Sequence, residues 1–325
     1  EANYNNDIGL PLTILKLEET HQAAVVELGM RGPGEIQRLA LIAKPTCAVI
    51  TNVEPVHLET LRSIENIARA KCEVLGEITE GGFAVINGDN NLLLQIADKY
   101  PCRKYTFGYN EVCDFQILKV ATQNGGIVIT AKLVDHMEEF YFPVPTVKLA
   151  ENVIAAVAIV TLLGISVEKI RAGLLNYKGS HNRLHSIHLN NGGIIIDDTY
   201  NANPISMAAA LATGRQMAGA NKFIAVLGDM YELGEYETRG HVEVGKKAVE
   251  TGVDLLLTVG NRARYISAGA IAAGMDKGKV HHFAVKDEAL EYLDQNINNN
   301  DTVLFKASRG MRFETLVDNL KQKYL

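Results

Sequence analysis

The chain has 325 residues, a formal net charge of −6 and 47% hydrophobic residues, a composition that suits two domains of ordinary size. No apolar run reaches the roughly 18 residues that a membrane-spanning helix needs, and the scattered Lys and Arg residues form no basic stripe for nucleic acid. The four cysteines have no C-x-x-C spacing, so we expect neither a disulfide framework nor a structural zinc site, and a reducing cytoplasm fits.

The first half begins with alternating strand and helix patterns and then changes. Strands are predicted at 22–29, 46–52 and 82–87, with helices near 34–43 and 63–79. Residues 114–142 have the pattern of short antiparallel strands, with Asn124-Gly125-Gly126 as a hairpin turn, and helices are predicted near 149–163 and 167–176. The polar stretch 178–183 is the best candidate for a domain boundary.

In the second half, apolar runs of strand length alternate with helical patterns. Predicted strands are 193–197, 222–227, 254–259, 279–283 and 302–306, and predicted helices lie near 204–218, 238–251, 262–274, 286–297 and 311–323. This alternation predicts a parallel sheet with helices on its faces, in which ligands collect at the carboxyl ends of the strands. That rule brings residues 197–203, 228–232, 260–261 and 307–309 to one edge of the sheet.

Three residues of the first half are candidates for a metal site. Glu27 ends a predicted strand, His57 follows the next strand, and Lys71 lies on the helix after it. Glu and neutral His suit a divalent cation, whereas a lysine ammonium would be repelled unless its charge were altered, for example as a carbamate. The alternative is that Glu27 and His57 are ordinary capping or surface residues.

Polar residues at two strand ends of the second half are candidates for substrate contacts. Asp229 and Glu232 follow one strand, and they either bind a cation or amine or cap the next helix. Lys306, Ser308 and Arg309 end the last strand, where the guanidinium suits a carboxylate or phosphate. The alternative there is a helix N-cap by Ser308 beside a solvated arginine.

Glycine-rich motifs exclude more than they suggest. The segment GMRGPGE (29–35) precedes a predicted helix, so its backbone N–H groups are available to an anion, although Pro33 removes one donor. The chain has no G-x-G-x-x-G after a strand, no G-x-x-x-x-G-K-[ST] and no G-x-S-x-G. The first absence argues against a dinucleotide-dependent oxidoreductase, and the last argues against a hydrolase nucleophile elbow.

Several segments together, in chain order, resemble the Mur ligase family. They are NYNNDIGLPLTIL (3–15), ELGMRGPGEI (27–36), TNVEPVHLE (51–59) with IARAKCE (67–73), IIDDTYNANPISM (195–207), AVLGDMYELG (225–234) with His241, and KASRGMRFE (306–314). The resemblance implies an α/β fold with two domains. Residues 1–180 would be a central ATP-binding domain, with a mixed sheet and a small antiparallel section, lacking its phosphate-loop part. Residues 181–325 would be a Rossmann-like C-terminal domain.

The resemblance also implies an activity. Members most like this chain use ATP to add D-alanyl-D-alanine to UDP-N-acetylmuramoyl-tripeptide through an acyl phosphate, in peptidoglycan synthesis, with consequences for cell shape and division. We therefore expect a cytoplasmic, monomeric ligase that acts on small molecules and binds neither nucleic acid nor membrane. The family's phosphate loop and UDP-sugar domain are not in the sequence, so we expect a fragment that is inactive alone.

Site residues follow from the resemblance by position. Glu27, His57 and Lys71, the last as a carbamate, would hold Mg²⁺ and serve catalysis. Asn152 would contact adenine, although the usual H-N pair before it is replaced by Lys148-Leu149. Arg183 would reach the ATP phosphates and Asp198 the ribose. Substrate contacts would come from Asn3, Asn5, Asn6, Asn201, Asn203, Asp229, Glu232, Lys306, Ser308 and Arg309.

Two alternatives remain open at this point. One is another ligase of the same superfamily, of the folylpolyglutamate or cyanophycin type, which shares the looser pattern. The other is a non-catalytic nucleotide-binding module that kept the ligase fold. The retained Glu27, His57, Lys71, Arg183 and Asp198 argue against the second alternative.

Overall fold

The computed structural model describes residues 4–54, 58–177 and 182–325. The chain divides into two compact units, Glu1–Tyr177 and Lys178–Leu325. Within the described residues, each unit contains a six-stranded sheet with helices packed on both faces. No helix of this described part is long and apolar enough to cross a membrane.

The first unit combines a parallel and an antiparallel section in one sheet. Its strands are β1 (Cys47–Ile50), β2 (Phe83–Asn87), β3 (Arg103–Gly108), β4 (Phe115–Gln123), β5 (Gly126–Leu133) and β6 (His136–Phe142). Its helices are α1 (Gly9–Ile14), α2 (Glu35–Ala43), α3 (Leu58–Leu61), α4 (Ile64–Cys72), α5 (Asn91–Ala97), α6 (Ala150–Leu162) and α7 (Val167–Leu175). The strands follow chain order across the sheet, with β1 to β4 parallel and β4 to β6 antiparallel.

Alternating side chains of the parallel strands separate two cores in this unit. Ala84 and Ile86 of β2 pack with α2, α4 and α5 on one face, whereas Val85 packs with α6 and α7 on the other. The β4–β5 hairpin closes on Asn124 and Gly125, whose φ angles of 49° and 75° are typical of a type I′ turn. The predicted antiparallel section and its turn are therefore confirmed.

One predicted strand is wrong. Residues 22–29 have no regular strand pairing, and Val25 is 98% exposed. The Gly29 N–H donates to the Asn5 carbonyl at 2.8 Å, but a strand needs a neighbour along its length for its N–H and C=O groups. The sequence pattern also missed β3, since Arg103 and Lys104 interrupt its apolar character, and the short helix α5, which Asn90 caps.

The second unit is a parallel sheet with one antiparallel edge strand. Its strands are β7 (His185–His188), β8 (Ile194–Asp197), β9 (Phe223–Gly228), β10 (Leu255–Val259), β11 (Val280–Phe283) and β12 (Thr302–Lys306). Its helices are α8 (Pro204–Ala218), α9 (Glu237–Glu250), α10 (Arg264–Ala272), α11 (Lys286–Asn296) and α12 (Glu314–Tyr324). The strand order is β11-β10-β9-β12-β8-β7, and β7 is antiparallel to β8.

The helices of this unit cover the two faces unequally. Helices α8, α9 and α10 pack on the face that carries Ile196 and Leu304, and α11 and α12 pack on the face that carries Ile195 and Phe305. Every residue of β9 is buried, which is why its sequence is a continuous apolar run. The last strand, β12, lies between β8 and β9, so the carboxyl ends of β8, β12, β9 and β10 adjoin along one edge.

Candidate active site

Lys71 of the first unit is a partly buried amine beside two carboxylates. It lies in the last turn of α4, whose first turn is capped by the Ser63 hydroxyl accepting from the Asn66 N–H at 3.1 Å. Burial lowers the pKa of Lys71, and the negative charges of Glu54 and Glu27 oppose that shift. The amine therefore loses its proton more readily than an exposed lysine does.

The two carboxylates near Lys71 are held by short amide contacts. Asn5 donates its side-chain N–H to Glu27 at 3.0 Å, and Asn52 donates to Glu54 at 2.8 Å. The structure thus brings the predicted residues Asn5, Glu27 and Lys71 into one neighbourhood and adds Glu54, which the sequence reasoning did not select.

The structure describes two of the three residues predicted from sequence to form a metal site, Glu27 and Lys71. His57 lies outside the described residues, and so does Asn3. Within residues 4–54, 58–177 and 182–325, no three Asp, Glu, His or Cys side chains converge to hold a metal ion. Carboxylates such as Glu27 and Glu54 carry the oxygen donors that Mg²⁺ prefers, and a carbamate on Lys71 would add more, so the chemistry of these residues suits the ion.

A second polar group lies at the carboxyl end of β2, and the sequence reasoning missed it. The side chain of Asn87 is buried and donates to the Thr51 carbonyl at 3.0 Å and to Glu151 at 3.3 Å. Burial raises the pKa of Glu151, and the nearby Asp89 carboxylate raises it further. Applying the strand-end rule to the predicted strand 82–87 would have indicated Asn87 and Asp89. Asn152, beside Glu151 on α6, is exposed.

Two other predicted features of the first unit form local contacts. Asn6 accepts the N–H groups of Ile8 and Gly9 at 3.1 and 2.9 Å and so caps the start of α1. The N–H groups of Gly34 and Gln37, at the helix start after the glycine-rich segment, donate to the Glu73 carboxylate at 2.8 and 3.1 Å. The anion at this helix N-terminus is therefore a side chain of the protein itself.

In the second unit, the residues after β8 surround a buried charge pair. Lys306 ends β12 and approaches Asp198 to 2.6 Å, with 3% and 10% of the two side chains exposed. Lys306 also donates to the Asn201 carbonyl at 2.9 Å. The Arg183 guanidinium lies over the Tyr200 ring, 4.2 Å from its centroid.

Four predicted substrate residues of this unit hydrogen-bond within the chain. Asn203 caps α8, accepting the Ser206 N–H at 2.7 Å in a reciprocal capping box, with Pro204 in the first turn. Asp229 accepts the N–H groups of Arg262 and Ala263 at 2.9 and 2.7 Å, just before α10. The Ser308 hydroxyl accepts the Tyr231 N–H at 2.8 Å, and Lys306 is in the charge pair above.

The remaining predicted residues of the second unit are accessible. The side chains of Asn201 and Glu232 are exposed, and Glu232 has a φ of 62°. Arg309 is 61% exposed and pairs with Glu314 at 3.3 Å. Their contact with substrate stays a prediction.

His241, part of the motif after β9, is fully buried and joins α9 to that loop. Its Nε2 accepts the Met230 N–H at 3.0 Å, and its Nδ1 lies 2.7 Å from the Glu237 carbonyl, to which it donates as the neutral tautomer. Burial lowers the pKa of His241, which favours this neutral form.

Comparison with known proteins gives these features a context. The family model described as the Mur ligase middle domain matches residues 1–160, and the one described as the Mur ligase, glutamate ligase domain, matches residues 182–309. The UDP-N-acetylmuramoyl-tripeptide--D-alanyl-D-alanine ligase of Bacillus subtilis (strain 168) is 37% identical over 319 residues, which are 98% of this chain and 68% of that protein. This chain belongs to the Mur ligase family.

Solved Mur ligases have the same fold as this chain. MurF from Acinetobacter baumannii is 30% identical, with a TM-score of 0.87 over 99% of this chain and 70% of that one. The MurF ligase of Thermotoga maritima, solved in complex with ADP, is 26% identical, with a TM-score of 0.85 over 99% of this chain and 72% of that one. The α/β fold implied by the resemblance is confirmed.

Proposed function

We propose that this Mur ligase uses ATP to add D-alanyl-D-alanine to UDP-N-acetylmuramoyl-tripeptide, in the synthesis of peptidoglycan. The observation that carries the proposal is the 37% identity, through both units, to a protein named for this reaction. The solved relative that binds ADP supports ATP as the energy source. Cytoplasmic location and a monomeric state belong to the same proposal.

The proposed reaction has two group transfers. A carboxylate oxygen of the tripeptide attacks the γ-phosphorus of ATP, and the bond to ADP breaks, giving an acyl phosphate. The amine of D-alanyl-D-alanine then attacks the acyl carbon through a tetrahedral intermediate. The carbon–oxygen bond to phosphate breaks, the amine nitrogen loses a proton, and the products are the amide, ADP and phosphate. The protein's task is to position these groups and neutralise developing charge.

Lys71 is proposed to act as a carbamate. Its lowered pKa makes the neutral amine more available. The neutral amine attacks CO₂, forms a carbon–nitrogen bond and releases a proton. The lysine side chain is thereby converted from an ammonium cation into a carbamate anion. With Glu27 and His57, the carbamate would hold Mg²⁺; when bound, the ion neutralises charge on the phosphoryl oxygens. Glu54 lies close enough to Lys71 to influence its charge and joins this set.

Nucleotide contacts are proposed for three residues. The Asn152 side chain is exposed on α6, so it is accessible for a contact to adenine. Arg183 carries its charge over an aromatic ring and is proposed to contact the ATP phosphates. Asp198 is proposed to accept from the ribose, because a carboxylate retains lone pairs beyond its contacts to Lys306 and Leu184.

Substrate contacts are proposed first for the exposed residues Asn201, Glu232 and Arg309. Arg309 suits the carboxylate of the dipeptide, and Glu232 suits its amine. Asn203, Asp229 and Ser308 are engaged within the chain, and they support the proposal by holding the loops that carry the exposed residues. Asn3, Asn5 and Asn6 are proposed for the tripeptide side of the reaction.

The assay for this function measures phosphate release by the complete product of the gene. We expect release from ATP only when both UDP-N-acetylmuramoyl-tripeptide and D-alanyl-D-alanine are present, with the ligated product seen by mass spectrometry. Release that responds equally well to a folate and glutamate would instead favour the folylpolyglutamate type of ligase. Nucleotide binding without any release would favour a non-catalytic module.

Lys71→Ala tests the carbamate. We expect loss of ligation, partial rescue by a small carboxylic acid, and loss of a carbamate carbon signal in ¹³C NMR of protein equilibrated with labelled bicarbonate. Arg69→Ala is the matched control, because Arg69 lies on the same helix and is 51% exposed in a surface pair with Glu65. Unchanged activity in Lys71→Ala, or an unchanged spectrum, would rule out the carbamate.

A further inference from the structure

The Lys306–Asp198 pair is buried at a point where three segments of the second unit meet. Lys306 is 2% exposed as a residue, and its ammonium contacts Asp198 at 2.6 Å and the Asn201 carbonyl at 2.9 Å. β12 is thereby tied to both ends of the turn that follows β8. A side chain this enclosed has no free face for a substrate.

Asp198 also contacts the segment 182–184. Its second oxygen accepts the Leu184 N–H at 3.2 Å. Asn182 adds two contacts to the same turn, because its carbonyl accepts the Tyr200 N–H at 2.9 Å and its side chain donates to the Thr199 hydroxyl at 3.1 Å. Residues 182–184 are thus held against the end of β8 on both sides of Arg183.

The backbone around Arg183 needs this support. Asn182 and Leu184 have φ angles of 62° and 49°, in the left-handed region that costs energy for a residue with a side chain. For Leu184, the Asp198 carboxylate is the contact that holds the amide in this conformation. The direction of the Arg183 side chain, over the Tyr200 ring, follows from these two flanking residues.

The electrostatic environment of Lys306 is consistent with its contact to Asp198. Burial lowers the pKa of Lys306, the Asp198 carboxylate opposes that shift, and the positive charge of Arg183 adds to it. Two cations therefore share the neighbourhood of one buried carboxylate. Removing the ammonium would leave Asp198 as a buried charge without its close partner, which is unfavourable unless the Asp198 side chain turns away.

We propose that Lys306 is a positioning residue, which contacts no substrate and, through Asp198, holds segment 182–184 so that Arg183 points toward the ATP phosphates. This role rests on the function proposed above. It replaces the expectation that Lys306 contacts the dipeptide, because the ammonium is buried and contacts Asp198 and the Asn201 carbonyl.

A double-mutant cycle in the complete gene product tests the proposal. The variants are Lys306→Met, Asp198→Asn and their combination, with the exposed Lys277→Met as control. We expect Lys306→Met to raise the KM for ATP about tenfold, as the loss of a charge-assisted contact does, and to change the KM for the dipeptide less than about twofold. The double variant should be no worse than the worse single variant, since one residue acts through the other.

Hydrogen exchange supplies a readout that does not depend on activity. In Lys306→Met, exchange should become faster at the amides of Leu184 and Tyr200 and stay unchanged in α11, which shows that the variant is folded. Unchanged exchange at Leu184, a raised KM for the dipeptide alone, or additive effects in the double variant would overturn the positioning role. Wild-type enzyme without substrate-dependent phosphate release would instead refute the proposed function and, with it, this role.

Discussion

Asp229→Ala is expected to destabilise the second unit by removing a buried cap. The Asp229 carboxylate is 5% exposed as a residue and accepts the N–H groups of Arg262 and Ala263 at 2.9 and 2.7 Å. Each donor left unsatisfied costs about 1–3 kcal/mol, so we expect a total loss of about 3 kcal/mol. Asp229→Asn keeps an acceptor oxygen and should cost about 1 kcal/mol, mostly from the lost charge.

The measurement is urea unfolding followed by far-UV circular dichroism, because the chain has no Trp. Because the chain has two units, the unfolding curve is fitted with two transitions, and Asp229→Ala should shift only the transition of the second unit. Hydrogen exchange at the start of α10 should accelerate in the Ala variant more than in the Asn variant. If Asp229→Ala unfolds like the wild type, or if both variants raise the KM for the dipeptide equally, Asp229 contacts substrate and the capping argument is wrong.

Two further predictions concern the second unit, and the control variant for one of them lies in the first unit. The lowered pKa of His241 means that the unfolded chain takes up a proton first as pH falls, so stability is complete above the usual histidine pKa of 6.5 and decreases below it. Below pH 6.5, the free energy of unfolding should fall by up to about 1.4 kcal/mol per pH unit, and it should fall less steeply in His241→Gln. Denaturant titrations at several pH values between about 5 and 7 measure this dependence, and equal slopes in the two proteins would contradict the prediction. Gly245→Ala should cost about 1–3 kcal/mol, because its Cβ would collide with the Ile266 carbonyl where α9 crosses α10. Gly173→Ala, in an open position on α7 of the first unit, should be neutral or stabilising by about 0.5–1 kcal/mol. Thermal melts of both variants measure these changes, and a similar loss for both would contradict the packing argument.

The helices and the five parallel strands of the second unit were predictable because their signals are local, whereas the edge strand β7 was not predicted. Continuous apolar runs such as β9 are buried on both faces, and the Asn203-Pro204 start of α8 carries its capping chemistry within four residues. Each of these patterns forms from neighbours in sequence, so propensity and periodicity are sufficient to locate it. The strand-end rule likewise indicated Asp198, Asp229 and Lys306 as polar residues of one edge.

Local patterns were insufficient where structure depends on partners that lie far along the chain. Residues 22–29 have a strand-like composition, but without a neighbouring strand their backbone groups have no ladder to join. β3 has a weak pattern, yet it forms because β2 and β4 flank it. Glu151 entered the candidate site only when the fold brought α6 next to the end of β2, and Glu54 only when the fold placed it near Lys71, whereas the end of a predicted strand could have indicated Asn87.

The sequence by itself determined the α/β class, the family and the residue types at the strand ends, because these depend on composition, period and motif. Only the tertiary structure decided which of those residues remain accessible. Asn201, Glu232 and Arg309 have exposed side chains, whereas the side chains of Asn203 and Asp229 accept N–H groups at helix starts. Lys306 and Asp198 form an ion pair at 2.6 Å. The fold buries both charges, and a buried charge without an oppositely charged partner would be strongly unfavourable.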